Sequence, residues 1–274
     1  MHVHELLIAV LYGVVEGITE WLPISSTGHM LLLAELLPLP VSEEFFSLFS
    51  VVIQLGAVLA VALRFFGQLN PFHRDRARAA RAIHLLCLTA IGVLPSCILG
   101  FFLDTPLERF FFNPRTVALM LVGWGLLFLL AETPPRRLPD RKDALSDLSV
   151  RDALSVGCFQ LFALIPGTSR SGATVLGGRL TGLSGRLSTE FSFLLSLPTM
   201  LGAGILRTAR YALGGYSPTL RELLILLVGS LVSFLVSLLV TKRLTGFLQS
   251  HCLSSFGPYR ILLGGAVLAY DIFR

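Results

Sequence analysis

Ten apolar segments alternate with short polar stretches along the 274-residue chain. Six of these segments approach the length of about 20 residues that an α-helix needs to cross a bilayer. These predicted spans are residues 44–66, 82–103, 116–132, 189–212, 220–241 and 257–273. Segment 220–241 is apolar on all its faces rather than along one stripe, which is typical of a helix in lipid. The pattern predicts an all-α integral membrane protein with about six full transmembrane helices.

The four remaining apolar segments are short and form two pairs. Residues 5–22 pair with 29–37, and residues 150–165 pair with 172–182. A polar loop containing glycine joins the members of each pair, and such a pattern favours a re-entrant hairpin that enters and leaves the membrane on one side. We call residues 16–29 the first elbow and residues 166–174 the second elbow.

The two halves of the sequence resemble each other. At an offset of 144 positions, Gly13, Glu16, Ser25, Thr27 and Gly28 fall on Gly157, Gln160, Ser169, Ser171 and Gly172. At an offset of 146, residues 44–57 fall on 190–203 with seven of the fourteen positions identical. Each half contains three predicted crossings, so the second copy would enter the membrane from the opposite side. We therefore predict one membrane domain of two inverted repeats, 1–132 and 150–274, joined by a cytoplasmic linker at 133–149.

Composition and charge agree with a membrane protein. Only 14% of the residues are charged and the mean hydropathy is +0.76, whereas soluble domains carry about 25% charged residues. Thirteen of the 22 Lys and Arg lie on the side of the loops that follow spans one, three and five, which predicts that this side is cytoplasmic and both termini are external. The net charge is +5. We expect these basic residues to set the membrane topology and to contact anionic lipid, and we expect no nucleic acid as a partner.

The first elbow carries two acidic residues inside an apolar helix. Glu16 and Glu20 are four residues apart and share one helix face. Each carboxylate costs roughly 2.5–3.5 kcal/mol in lipid, so it must face the headgroups, protein, water, a cation or the other carboxylate. Oxygen ligands of this kind suit Mg²⁺ or Ca²⁺, and an acid–base pair is the other functional interpretation.

Hydroxyl groups and a histidine follow these carboxylates. Pro23 ends the first helix, the next is predicted to start near His29, and Ser25, Ser26 or Thr27 would cap it. Gly28 permits close backbone approach. Because one cap needs only one hydroxyl, three hydroxyls beside a histidine indicate chemistry as well.

The second elbow, PGTSRSGAT, has the character of an anion site. Gly167 and Gly172 free the backbone, and Thr168 or Ser171 is predicted to cap the helix that follows. The start of a helix favours phosphate through its free N–H groups. Arg170 adds a fork for phosphoryl oxygens, unless it pairs with a carboxylate of the first elbow.

Together the elbows indicate metal-assisted phosphoryl transfer. The main alternative is a transporter or flippase for a phosphorylated lipid or a phosphate anion, because inverted repeats with broken helices are common in carriers. A non-catalytic membrane receptor is a third interpretation. Ser26 beside His29 favours the enzyme, since a carrier needs no nucleophile with a proton acceptor.

Three motifs carry a resemblance to a known family. Glu16-x-x-x-Glu20 with the following PxSSTGH, the run VVIQLGA at 51–57 and PGTSRSGAT resemble the undecaprenyl pyrophosphate phosphatases, also called the bacitracin-resistance family. The resemblance implies a bacterial inner-membrane enzyme whose active site opens to the external, periplasmic face. Such an enzyme depends on a divalent cation, Mg²⁺ or Ca²⁺. It converts undecaprenyl diphosphate to undecaprenyl phosphate for peptidoglycan synthesis and confers bacitracin resistance.

The resemblance also implies roles for individual residues. Glu16 and Glu20 would handle the metal and the proton, Ser26 would be the leading nucleophile, and His29 an acid–base group or rival nucleophile. Arg170 would clamp the phosphate. The other predicted phosphate-binding residues are Ser25, Thr27, Gly28, Ser169, Ser171, Gly172 and Thr174. Recurring glycines (Gly123 and Gly125, Gly202 and Gly204, Gly264 and Gly265) leave open whether the chain packs as a homodimer.

Overall fold

The chain folds into α-helices, as the hydrophobic pattern predicts. The computed structural model describes residues 3–132 and 138–273, apart from the side chains of residues 104, 105, 108 and 109. The helices are α1 (Val3–Thr19), α2 (Ser26–Leu36), α3 (Glu43–Leu69), α4 (Arg76–Phe111), α5 (Pro114–Ala131), α6 (Val150–Gln160), α7 (Arg170–Leu180), α8 (Gly185–Leu213), α9 (Leu220–Ser250) and α10 (Gly257–Phe273). No strand occurs in the described ranges, which contain one isolated β-bridge, between Lys142 and Leu183.

Five helices in these ranges are long and apolar enough to cross a membrane. They are α3, α4 as far as Leu103, α5, α8 and α9. The sixth predicted span forms α10, which has 17 residues. The protein is therefore an all-helical, multi-pass membrane protein. Residues 133–137 of the predicted linker lie outside the described residues. They include Arg136 and Arg137, two of the thirteen Lys and Arg on the side predicted to be cytoplasmic.

The two short helix pairs form where they are predicted, but their second helices begin earlier than expected. α2 begins at Ser26 and α7 at Arg170, not near His29 and Gly172. The reason is backbone conformation. Ser25 and Ser169 take φ angles of 70° and 72°, the only positive values among non-glycine residues in the described ranges. This left-handed geometry is costly for a residue with a Cβ, and it turns the chain into the next helix at once.

The first helix of each pair crosses a long helix of the other half at a glycine. A Cβ on Gly13 of α1 would lie 2.5 Å from the carbonyl oxygen of Gly229 on α9. A Cβ on Gly157 of α6 would lie 2.0 Å from the carbonyl oxygen of Gly92 on α4. Backbones therefore touch directly at both crossings, and each half of the chain holds the hairpin of the other half.

The recurring glycines are partly explained by packing within the chain. Gly125 faces Gly257, Gly204 faces Leu55 and Gly264 faces Ala118. Their neighbours Gly123, Gly202 and Gly265 face open space. The structure thus gives no support to the homodimer.

Arg179, a buried residue of α7, binds the end of α5 and the described part of the linker. Arg179 Nε donates to Glu132 Oε1 at 2.8 Å, and its NH2 group donates to the carbonyl oxygen of Leu138 at 2.7 Å. Asp140 binds the same guanidinium. These contacts fix the end of α7 that is remote from the second elbow.

Candidate active site

The two elbows meet inside the protein through an ion pair. Arg170 at the start of α7 donates from its NH2 group to Oε1 of Glu20 at 3.1 Å. The side chains of Arg170 and Glu20 are only 10% and 7% exposed. The sequence leaves a phosphate or a carboxylate of the first elbow as the partner of Arg170. In the structure, Arg170 pairs with the carboxylate of Glu20. The residues that the motifs single out in different halves therefore share one site.

Ser26 joins this pair from the first elbow. Its hydroxyl donates to Oε2 of Glu20 at 2.7 Å, so the two oxygens of Glu20 bind different groups, Ser26 and Arg170. Ser26 is buried. A carboxylate that accepts the proton of a hydroxyl group is arranged as a general base for that hydroxyl. The adjacent guanidinium offers two donors of the kind that bind phosphoryl oxygens.

His29 is turned away from this centre. Its Nδ1 lies 2.8 Å from the carbonyl oxygen of Ser25, and its Nε2 lies 2.7 Å from the hydroxyl oxygen of Tyr259 on α10. Because a carbonyl oxygen only accepts, Nδ1 donates, and Nε2 of the neutral ring accepts from Tyr259. No hydrogen bond in the described part of the chain joins His29 to Ser26, Glu16 or Glu20. The geometry therefore favours Glu20 over His29 as the base for Ser26.

The hydroxyls of the second elbow are used differently from the prediction. Ser169, rather than Thr168 or Ser171, caps α7 by accepting from the Gly172 amide at 3.2 Å. Ser171 is occupied elsewhere, because its hydroxyl donates to the carbonyl oxygen of Leu22 at 3.0 Å and so binds the first elbow. Thr174 contacts the hydroxyl of Ser192 at 2.6 Å.

The predicted hydroxyl cap of α2 is not formed. Ser25 occupies the cap position, but its side chain makes no capping bond, and its oxygen is buried without a partner among the described residues. Thr27 is half-buried. Gly28 packs beside Leu121, since a Cβ there would lie 3.0 Å from the Leu121 side chain. The start of α2 therefore presents amide groups that no side chain caps.

Glu16 is the second acidic residue of the first elbow. It is fully buried, and the side chain of Gln54 on α3 lies within hydrogen-bonding reach of its carboxylate, which has no other partner among the described residues. The oxygens of a buried carboxylate are ligands that Mg²⁺ or Ca²⁺ accepts. The described residues contain no group of three His, Cys, Asp or Glu that could hold a metal, so further ligands would have to be neutral oxygens.

Three residues at the site were missed from the sequence. Arg260 on α10 is fully buried and donates to the carbonyl oxygens of Pro23, Gly167 and Thr168 at 2.9 Å each, so it ties both elbows together. An arginine inside an apolar span is a detectable signal, because burying such a charge is expensive. Ser192, whose carbonyl oxygen accepts from Arg170 at 3.0 Å, and Tyr259 carry no comparable signal.

The fold and this site define a class: an all-helical, multi-pass membrane protein with a buried polar site between two pairs of short helices. Residues 9–266 match the family described as Bacitracin resistance protein BacA. An undecaprenyl-diphosphatase of Streptococcus equi subsp. zooepidemicus is 42% identical over 272 residues, 98% of either chain. Undecaprenyl-diphosphatases of Enterococcus faecalis and Desulfitobacterium hafniense are 40% and 43% identical, over 97% of this chain and 97% and 96% of theirs. The chain belongs to the bacitracin resistance protein BacA family.

Proposed function

We propose that the protein hydrolyses undecaprenyl diphosphate to undecaprenyl phosphate and inorganic phosphate and thereby supports bacitracin resistance. The observation that carries this proposal is the continuous chain from the Ser26 hydroxyl through Glu20 to Arg170. It supplies a nucleophile, a base and a phosphate ligand in one buried place. The names of the relatives favour this activity over transport of a phosphorylated lipid.

In the proposed reaction, Ser26 attacks the terminal phosphorus of the diphosphate. The hydroxyl proton passes to Oε2 of Glu20, 2.7 Å away. The bond from the terminal phosphorus to the bridging oxygen breaks, and undecaprenyl phosphate leaves. Water then hydrolyses the phosphoserine. Direct attack by a water molecule held at Glu20 uses the same base and gives the same products.

Arg170 changes partner when the substrate binds. Its guanidinium is held by Glu20 and by the carbonyl oxygen of Ser192, and the phosphate replaces Glu20 as its anion. This exchange releases Oε1 of Glu20 from a positive charge, which makes the carboxylate a better proton acceptor. Uncapped amides at the start of α2, with Ser25, Thr27 and Gly28 around them, bind further phosphoryl oxygens. Ser169, Ser171, Gly172 and Thr174 shape the Arg170 side of the pocket.

Glu16 and Glu20 would hold a divalent cation, Mg²⁺ or Ca²⁺, in this proposal. The support is the fully buried Glu16 carboxylate, which no cationic side chain among the described residues neutralises and which only the side chain of Gln54 approaches. A bound cation neutralises charge on the diphosphate. The binding and proton steps remain those of Ser26, Glu20 and Arg170.

We further propose that the halves are inverted repeats in the bacterial inner membrane and that the site opens to the periplasmic face. The matching left-handed serines and the matching glycine crossings support the repeat. The basic loops on one side support the orientation.

The test is phosphate release from undecaprenyl diphosphate by the full chain in detergent, with and without Mg²⁺ or Ca²⁺. We expect release that needs a divalent cation and falls at least 100-fold in Arg170→Ala, the scale of losing one transition-state donor. Arg151→Ala is the matched control, because Arg151 lies exposed at the start of α6. A wild-type chain that binds the lipid but releases no phosphate would refute the proposal in favour of a carrier.

A further inference from the structure

The guanidinium of Arg170 is held on its face as well as on its edge. Its central carbon, Cζ, lies over the ring of Trp21, 5.7 Å from the ring centroid. Trp21 directly follows Glu20 in the first elbow, so two consecutive residues bind the face and the edge of one guanidinium. Trp21 is only 1% exposed. An indole ring attracts a cation within about 6 Å of its centroid, and the attraction is strongest where water is excluded.

The Trp21 ring is itself fixed by α8. The centroids of the Trp21 and Phe193 rings are 5.1 Å apart and their planes meet at 82°, which is an edge-to-face contact. Phe193 is buried and follows Ser192, whose carbonyl oxygen accepts from Nη1 of Arg170 at 3.0 Å. The Ser192 hydroxyl lies 2.6 Å from the hydroxyl of Thr174 on α7. Adjacent residues of α8 therefore hold one edge of the guanidinium and the ring beneath its face.

The three nitrogens of Arg170 have different surroundings. Nη1 donates to the Ser192 carbonyl oxygen, Nη2 donates to Oε1 of Glu20, and Nε is buried without a partner among the described residues. Nε and Nη2 lie on the same edge of a guanidinium and form a fork that binds two oxygens of one phosphate. When the phosphate replaces Glu20, this edge becomes available, while Nη1 stays on Ser192.

A carboxylate and a ring affect this fork differently. The N–H groups of a guanidinium point outward in its plane. A carboxylate on the edge therefore competes with phosphate for them, whereas a ring beneath the face leaves every N–H group available. Once Glu20 is released, the Ser192 carbonyl oxygen alone would let the guanidinium turn about a single hydrogen bond. The Trp21 ring supplies the second contact that keeps the fork aimed at the phosphate.

We propose that Trp21 is a positioning residue for Arg170, and that its indole face holds the guanidinium in the plane that presents Nε and Nη2 to the terminal phosphate. The proposal rests on the exchange of partners in the proposed function. Trp21 acts through Arg170 and not on the substrate. Its contribution is larger with the phosphate bound than in the free protein, because in the free protein Glu20 and Ser192 already fix the guanidinium.

The experiment measures the Kd of radiolabelled undecaprenyl diphosphate for the purified full chain in detergent, without a divalent cation, so that binding is separated from turnover. We expect Trp21→Leu to raise Kd about tenfold, within the range of cation–π contacts. Trp21→Phe keeps a weaker ring face and should raise Kd about threefold. In an Arg170→Gln background, which has no cation to hold, both changes should alter Kd less than about twofold.

The matched control is Trp124→Leu. Trp124 is the other tryptophan of the chain, is 5% exposed, and packs edge-on against the ring of Phe128. Whatever factor this substitution applies to Kd should be the same with Arg170 and with Arg170→Gln. Unfolding midpoints identify any variant that fails to fold.

A second measurement changes the electrons of the ring and keeps its shape. The chain has two tryptophans, so Trp124→Phe leaves Trp21 as the only position for biosynthetic incorporation of fluorinated tryptophans. Fluorine draws electron density from the ring face and weakens its attraction for a cation. We expect Kd to rise with each added fluorine, and to be insensitive to fluorination in Arg170→Gln. This series keeps the proposal testable if Trp21→Leu does not fold.

Equal effects of Trp21→Leu with and without Arg170 would overturn the proposal, because Trp21 would then contribute packing alone. A Kd that ignores fluorination would overturn it as well. Failure of the proposed function looks different. A chain that binds the lipid in the expected pattern but releases no phosphate with Mg²⁺ or Ca²⁺ refutes the phosphatase and keeps the role of Trp21. A chain that releases phosphate while its Kd ignores the ring refutes the role of Trp21 alone.

Discussion

Neighbouring hydroxyl groups in the first elbow have different surroundings. The Ser26 hydroxyl binds Glu20, whereas the buried Ser25 hydroxyl has no partner among the described residues. We expect Ser26→Ala to lower phosphate release by about 10³-fold or more, as loss of an activated nucleophile does, and Ser25→Ala to lower it by about 10²-fold at most, the scale of losing one donor to the phosphate. Initial rates under equal substrate load measure the difference. Equal losses would show that the elbow acts only through its shape.

Arg260 provides a second prediction at the residue scale. Replacing it in Arg260→Met leaves the carbonyl oxygens of Pro23, Gly167 and Thr168 buried without this donor, at about 1–3 kcal/mol each. We expect a clear fall in the thermal unfolding midpoint together with loss of activity.

The control for this prediction is Arg115→Met. Arg115 is 74% exposed and pairs with Asp271, and a surface pair contributes only about 0–1 kcal/mol. If Arg260→Met unfolds at the same temperature as Arg115→Met, Arg260 does not hold the elbows together.

The sequence singles out residues whose chemistry is unusual in lipid. Glu20, Ser26 and Arg170 stand out because charge and hydroxyl clusters in apolar helices are costly, and the structure brings the three side chains together. The sequence left Arg170 with two possible partners, a phosphate or a carboxylate of the first elbow, because the choice depends on how two hairpins 150 residues apart meet. Tyr259 was missed because a tyrosine near a helix start is ordinary until the fold brings it to His29.

At the scale of elements, the apolar segments of the sequence predict where the helices lie but not the residue at which each helix begins. α2 and α7 begin earlier than expected because Ser25 and Ser169 adopt left-handed backbone geometry, which residue type alone does not indicate. α8 begins at Gly185 rather than near 189, because the Ser184 hydroxyl accepts from the Leu187 amide. The five helices that are long enough to cross the membrane agree with the predicted spans.

The glycine crossings give a prediction for elements. In Gly157→Ala the new Cβ would lie 2.0 Å from the Gly92 carbonyl oxygen, so α6 must move away from α4. We expect a loss of about 1–3 kcal/mol in folding free energy, measured as a lower thermal unfolding midpoint. Gly123→Ala is the control, because Gly123 faces open space. A midpoint that falls equally in both variants would contradict direct backbone contact at the crossing.

At the scale of the whole molecule, the distribution of positive charge predicts the orientation. His73 lies between α3 and α4, on the side expected to be cytoplasmic, and Ser217 lies between α8 and α9, on the opposite side. We expect a membrane-impermeant maleimide to label Ser217→Cys in intact cells of a chain without other cysteines. His73→Cys should react only after the membrane is opened. The reverse pattern would place the site on the cytoplasmic side.

The central claim is that two hairpins from different halves form one phosphatase site. The most direct test is a double-mutant cycle on phosphate release from undecaprenyl diphosphate, with Ser26→Ala, Arg170→Gln and the combined variant. Residues that act as one catalytic unit have strongly non-additive effects, so we predict that the combined variant is about as active as Ser26→Ala alone. Losses that multiply would contradict the account, because Ser26 and Arg170 would then act independently.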